Sequence, residues 1–240
     1  MRDYARRGER ECSLTIVSNS VDQVTSQQNL RIAEVTNRVK AFVGIHPQVF
    51  LDPHFPKERE RIDAVVSSLE PLVDSASGIG EVGLDETYGK FEEQSYLFSK
   101  MLGIVEENSI PVTIHTRGTL KECVDALSTI HLRSNVLFHW FSGSSEEIGK
   151  LHERGYFTSF GPSILYSKRM QNILKMADPR FILAETDAPL RLESVRPEFV
   201  ATPFFVISVL FKMSLILGNG FENMTNLNEE NARNYLQTQT

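Results

Sequence analysis

The chain has 240 residues, 41% of them hydrophobic and 23% charged, which is enough apolar material for one sizeable core and a common length for a single α/β barrel. A net charge of −6 argues against a passive nucleic-acid-binding module, but not against an enzyme that grips phosphate locally through ions and a few basic side chains. Two cysteines, Cys12 and Cys123, form neither a disulfide framework nor a zinc motif, so reduced thiols are expected, and with them a cytoplasmic location, or a nuclear one in a eukaryote.

The chain opens on MRDYARRGERECS, charged and without the apolar stretch of a secretory leader, and Asp3–Arg10 reads as a helix-like stub. Seven short runs rich in β-branched or aromatic residues then predict strands at Leu14–Val17, Ala41–Ile45, Gly78–Val82, Val112–His115, Val136–His139, Tyr156–Phe160 and Phe181–Ala184. The segments between them carry apolar residues at helical spacing, most clearly 57–73 and 91–108. Two more helices are expected after the last strand, at Pro197–Leu217 and at about Asn226–Gln237, the second starting from Thr225 or Asn226. The apolar stretch Phe204–Leu217 is broken by Ser208, Lys212 and Ser214 and is too short to span a bilayer, so no membrane partner is expected.

Continuous apolar strands alternating with helices imply a parallel sheet covered on both faces. No linker divides residues 1–240, which read as one domain. An open doubly wound sheet accepts seven strands, whereas a (β/α)8 TIM barrel needs eight. The barrel reading therefore expects the first strand to be missing, its place empty or filled by another element. That would leave the Leu14–Val17 and Phe181–Ala184 strands with unpaired edges and invite self-association.

Ligand-competent residues stand at the C-terminal ends of these strands: His46 in GIHP, Glu81 in GEVGLD, His115 in TIHTR, His139 in LFHWFSG and Asp187 in AETDAP. In a parallel barrel those ends share one mouth, where imidazoles and carboxylates suit a divalent ion. Singly, each has a plainer reading, a hydrogen-bonded loop histidine or a turn aspartate. Their coincidence at successive strand ends favours a site. Trp140 and Phe141 read either as a packed aromatic pair or as a platform for a base. Lys168 and Arg169 read as surface charges at a helix start, or as a phosphate contact. His54, His131 and His152 have no motif around them.

The strings GIHP, GEVGLD, PVTIHTR, HWFSGS, GYFTSFGPSI, LAETDAP and NARNYL, with Gln94 and Phe98, resemble the TatD-type deoxyribonuclease family of metal-dependent hydrolases from about Val17 to Leu236. The resemblance implies a TIM barrel hydrolysing phosphodiester bonds in DNA with Mg2+, Mn2+ or Zn2+, two ions in the family. It implies metal ligands at Glu81, His115, His139 and Asp187, with Glu81 bridging and Asp187 also holding the attacking water. His46 and Arg117 are implied on the substrate side. The family's first strand ends in His-x-His, and no two of this chain's six histidines are so spaced. One firmly held ion and reduced activity are therefore expected. A non-catalytic scaffold and an amidohydrolase-like enzyme acting on another bond are the alternatives. Glu81 favours the phosphodiesterase, since that wider group often bridges its metals with a carboxylated lysine.

Overall fold

The computed structural model describes residues 14–191, 198 and 200–237; Asp3–Arg10 and Cys12 lie outside them. All seven predicted strands form: β1 (Ile16–Ser18), β2 (Val39–Val43), β3 (Gly78–Asp85), β4 (Val112–Arg117), β5 (Val136–Phe138), β6 (Phe157–Phe160) and β7 (Ile182–Ala184). They make one sheet in sequence order, every neighbouring pair parallel. The helices are α1 (Gln23–Val35), α2 (Arg59–Ser67), α3 (Glu70–Val73), α4 (Phe91–Asn108), α5 (Leu120–Leu127), α6 (Ser145–Glu153), α7 (Lys168–Met176), α8 (Val206–Leu217) and α9 (Phe221–Leu236). Strand order without a reversal excludes the doubly wound alternative and leaves the part-closed TIM barrel that the family resemblance implied, with all strand C-termini at one mouth.

Period-two alternation, interrupted on β3 by a bulge between Ile79 and Val82, sorts the strand residues into two cores. Val43, Ile79, Val82, Ile114, Val136, Phe138 and Ile182 point outward into the large cluster beneath the helices, where α4 adds Leu97, Phe98, Met101 and Val105. Phe42, Leu137, Phe157 and Leu183 point inward and meet Tyr235 of α9. The Tyr235 hydroxyl lies 2.9 Å from Thr113 Oγ1, so the deepest polar group on α9 is satisfied inside the barrel.

The edge of β7 differs from the expectation. The Ala184 N–H donates to Asn228 Oδ1 at 2.7 Å, and Asn231 Nδ2 donates to the carbonyls of Ile182 (2.8 Å) and Pro179 (2.7 Å). Helix α9 thus supplies side-chain partners where a strand would supply backbone, and this edge is not open for pairing. The helix begins at Phe221, ahead of Thr225, because Gly218 (φ 68°) and Gly220 (φ 76°) close a tight turn after α8. At the other predicted late helix, a short 3-10 turn at Pro203–Phe205 leads into α8, and part of the preceding segment lies outside the described residues. Among the described residues no single helix is long and apolar enough to cross a membrane.

Candidate metal centre

Glu81 stands on β3 at the centre of the mouth. Its Oε1 lies 2.8 Å from His115 Nδ1, 2.6 Å from His139 Nε2 and 3.4 Å from His46 Nε2. Three strands and one turn deliver these groups: β3, β4, the residue directly after β5, and the 3-10 turn Pro47–Leu51 that follows β2. Burial alone would raise the Glu81 pKa; the surrounding imidazoles, His139 foremost, reverse that and hold it well below the usual carboxylate range.

Two further carboxylates back the imidazoles. Asp85, fully buried at the end of β3, accepts from His115 Nε2 at 2.9 Å. Its other oxygen accepts from the Thr87 N–H (2.8 Å) and the Thr87 hydroxyl (2.5 Å). Burial pushes its pKa up, and those bonds more than offset the push. Glu185 Oε2 lies 3.5 Å from His139 Nδ1 and accepts from Ser159 Oγ at 2.7 Å, while Oε1 accepts from the Trp140 N–H at 2.8 Å. Burial would lower the His139 pKa, but Glu81 and Glu185 on its two sides carry it well above the ordinary value. Each imidazole is therefore oriented from behind by a carboxylate and offers its remaining nitrogen to the centre, an arrangement typical of metal-ligating histidines.

His46 is different. The ligand atoms of His46, Glu81 and His115 all lie within 4.8 Å of one another, which by distance makes three ligands. Hydrogen bonding separates them: His46 Nδ1 accepts from the Gln48 N–H at 3.1 Å, so in the neutral ring the proton sits on Nε2. Burial lowers the His46 pKa and favours that neutral ring. His46 therefore presents an N–H donor rather than a lone pair.

Asp187 comes three residues after β7, with φ 49°, on the exposed rim. It is not among the direct partners of Glu81, yet its carboxyl is crowded by protein and feels the site's charges. Desolvation raises its pKa, opposed by His139 and reinforced by Glu185 and Glu81. Arg117, the last residue of β4, is exposed beside Tyr88, whose pKa is raised chiefly by burial and eased by the Arg117 charge. Close approach of β3 to β4 requires Gly83, with φ 149°: a Cβ there would lie 2.0 Å from the His115 carbonyl oxygen. The donor set fits a divalent ion: imidazole nitrogens held by outer carboxylates around one central carboxylate oxygen.

The family model of TatD-related DNases matches residues 3–237. The chain belongs to the TatD-related DNase family. It is similar to the putative deoxyribonuclease TATDN3 of Mus musculus, 29% identical over 171 residues, covering 66% of this chain and 58% of that protein. The chain thus spans less than two thirds of that relative's length. The 3'-5' ssDNA/RNA exonuclease TatD of Erwinia amylovora is 26% identical over 247 residues, covering 97% of this chain and 92% of the relative. The crystal structure of YjjV, a TatD homologue from Escherichia coli, superposes with a TM-score of 0.79 at 21% identity, over 92% of this chain and 85% of that one. That likeness gives this TatD relative the barrel.

Of the six residues singled out in the sequence, the structure brings His46, Glu81, His115 and His139 into direct contact, sets Asp187 within electrostatic reach and leaves Arg117 on the rim. Sequence reasoning passed over Asp85 and Glu185, although both lie inside the strings GEVGLD and AETDAP. The signal was parity. Asp85 is an even step from Glu81 on one strand, and Glu185 an even step from the inward-facing Leu183. His152, without a motif, is a buried core histidine between Thr158 Oγ1 (3.0 Å) and the Asp178 N–H (3.0 Å). Arg169 donates to the carbonyls of Ser142 (2.7 Å) and Gly143 (2.8 Å), so it braces the loop after His139.

Proposed function

We propose that the chain hydrolyses phosphodiester bonds in single-stranded nucleic acid, DNA in the first instance, with Mg2+, Mn2+ or Zn2+ held by Glu81, His115, His139 and Asp187. The observation that carries this reading is the Glu81 oxygen set between two imidazoles, each backed by its own carboxylate. The name of the Erwinia relative, an exonuclease of ssDNA and RNA, supports the substrate class. A bound divalent cation supplies Lewis acidity and lowers the pKa of water.

The chain's own residues do the rest. Asp85 and Glu185 fix which imidazole nitrogens face inward. His46, with its proton on Nε2, donates to a phosphate oxygen, and the Arg117 fork meets another from the rim. Asp187, with its raised pKa, takes the proton of the attacking water. Within these residues one set, Glu81 with His115 and His139, has three ligands, while a second ion has only Glu81 and Asp187. We therefore expect one firmly held ion per chain and slow turnover, because a single ion does not clamp both the attacking and the leaving oxygen.

The cytoplasm, or the nucleus, suits Cys123, a buried thiol whose pKa is pushed up to about 12 and which is therefore unreactive. With the β7 edge capped, we assign self-association to the outer edge of β1. Metal analysis by mass spectrometry together with cleavage of an end-labelled single-stranded oligonucleotide tests the main reading. About one ion per chain, lost in Glu81→Gln, and cleavage abolished by chelation and restored by Mg2+ or Mn2+ are expected. A chain that holds no ion and leaves the oligonucleotide intact under all three metals refutes it.

A further inference from the structure

Trp140 is the chain's only tryptophan and follows His139 directly. Its φ of 44° places a bulky aromatic residue in the left-handed region, a conformation that surroundings must enforce. They do so from four directions. The Trp140 N–H donates to Glu185 Oε1 (2.8 Å) and Ser159 Oγ (3.1 Å), and the Phe141 N–H donates to the Ser159 carbonyl at 3.1 Å. Phe141 is buried in the outer core, and Arg169 ties down the carbonyls of Ser142 and Gly143. Gly161 leaves room for the indole: a Cβ there would lie 2.9 Å from both Cε3 and Cζ3.

Burial does not explain this arrangement. Phe141 takes the core position, while Trp140 stays only half-buried, its ring against Gly161 directly after the C-terminal end of β6 and near Glu185. The same carboxylate, Glu185, holds both the Trp140 backbone and the His139 ring, so the indole is set at a fixed place relative to the metal centre. With a net charge of −6 the chain as a whole does not attract a polynucleotide, which gives local contacts such as stacking more weight.

We propose that Trp140 is the stacking platform for a nucleobase next to the scissile phosphodiester, which makes this chain a reader of base-bearing strands rather than of phosphate alone. The inference rests on the nucleic-acid reading of the site given above. Stacking tolerates any base, so it confers no sequence preference.

Because the tryptophan is single, its fluorescence reports this residue alone. The wild-type protein with Mg2+ is titrated with a phosphorothioate single-stranded oligonucleotide and with its abasic counterpart of equal length. The base-bearing strand is expected to quench the emission strongly, and the abasic strand is not. Trp140→Leu should raise the Kd for the base-bearing strand about tenfold, measured by anisotropy of a labelled strand, and leave the abasic Kd unchanged; Trp140→Phe should restore most of the loss. Equal quenching by the two strands, or an unaltered Kd in Trp140→Leu with its thermal melt intact, overturns the stack while leaving the phosphodiesterase reading in place. Binding of neither strand overturns both.

Discussion

Asp85→Asn is expected to loosen the metal centre by changing a tautomer rather than by removing a ligand. One Asp85 oxygen accepts from both the Thr87 N–H and the Thr87 hydroxyl, so in the variant the amide oxygen keeps that place. The amide NH2 then faces His115 Nε2, 2.9 Å away, where a carboxylate oxygen had stood. Two donors cannot face each other, so His115 must move its proton to Nδ1, the nitrogen that looks toward Glu81 at 2.8 Å. The lone pair that the proposed ion would take is lost. Removing such an outer partner typically weakens metal affinity 10–100-fold, which is about 1.4–2.8 kcal/mol. Competition for Zn2+ or Mn2+ against a fluorescent chelator reads the affinity, and histidine ring 15N chemical shifts read the tautomer. Circular dichroism should stay unchanged, because the variant is isosteric and retains the Thr87 bonds. An Asp85→Asn protein that binds the ion as tightly as wild type, or keeps the His115 proton on Nε2, would refute the reasoning.

Three more outcomes are expected. His152 titrates at about 4 in the folded chain against 6.5 for an unperturbed histidine, burial being the cause, so the unfolded chain binds its proton first on acidification. Stability is accordingly full above pH 6.5 and falls as the pH drops through that window. A loss of roughly 2–3 kcal/mol by pH 4 follows after discounting for partial solvent access. Urea midpoints from pH 7.5 to 4.5 should converge between wild type and His152→Gln, and parallel curves would exclude His152 as the source. Tyr235→Phe leaves the Thr113 hydroxyl buried without its 2.9 Å partner and should cost about 1–3 kcal/mol of unfolding free energy with metal affinity unchanged. Arg117→Ala should raise the KM for an oligonucleotide about tenfold and reduce the salt slope of binding by about one, while the bound ion is retained; an unaltered KM would remove Arg117 from the substrate.

The strands were legible because the barrel buries both faces of its sheet. Val112–Ile114 and Val136–Phe138 are buried at every position, as strands covered on both faces are, and their β-branched and aromatic residues show it in the sequence. What sequence patterning missed was settled by single residues outside the periodic signal. The start of α9 depends on two glycines in the left-handed region, and the capped edge of β7 on two asparagines, Asn228 and Asn231, that look like ordinary polar positions of a surface helix. The site divides the same way. Glu81, His115 and His139 were visible because ligand-competent residues rarely end several successive strands. Asp85 and Glu185 were hidden because a carboxylate that orients an imidazole needs no particular spacing in the chain, only proximity once the strands are in register. That difference explains why Trp140 was also ambiguous as a string of letters. HWFSG does not say which aromatic residue packs and which faces the mouth. The backbone does: with φ of 44° at Trp140, a glycine beneath its ring and a carboxylate shared with His139, Phe141 is buried in the core and Trp140 stays half-buried beside Glu185. On the proposed reading, Glu185 serves a ligand, His139, and a base-stacking residue, Trp140, together and so couples the two. Glu185→Gln should therefore disturb strand binding and ion binding jointly, whereas Trp140→Leu disturbs only the first.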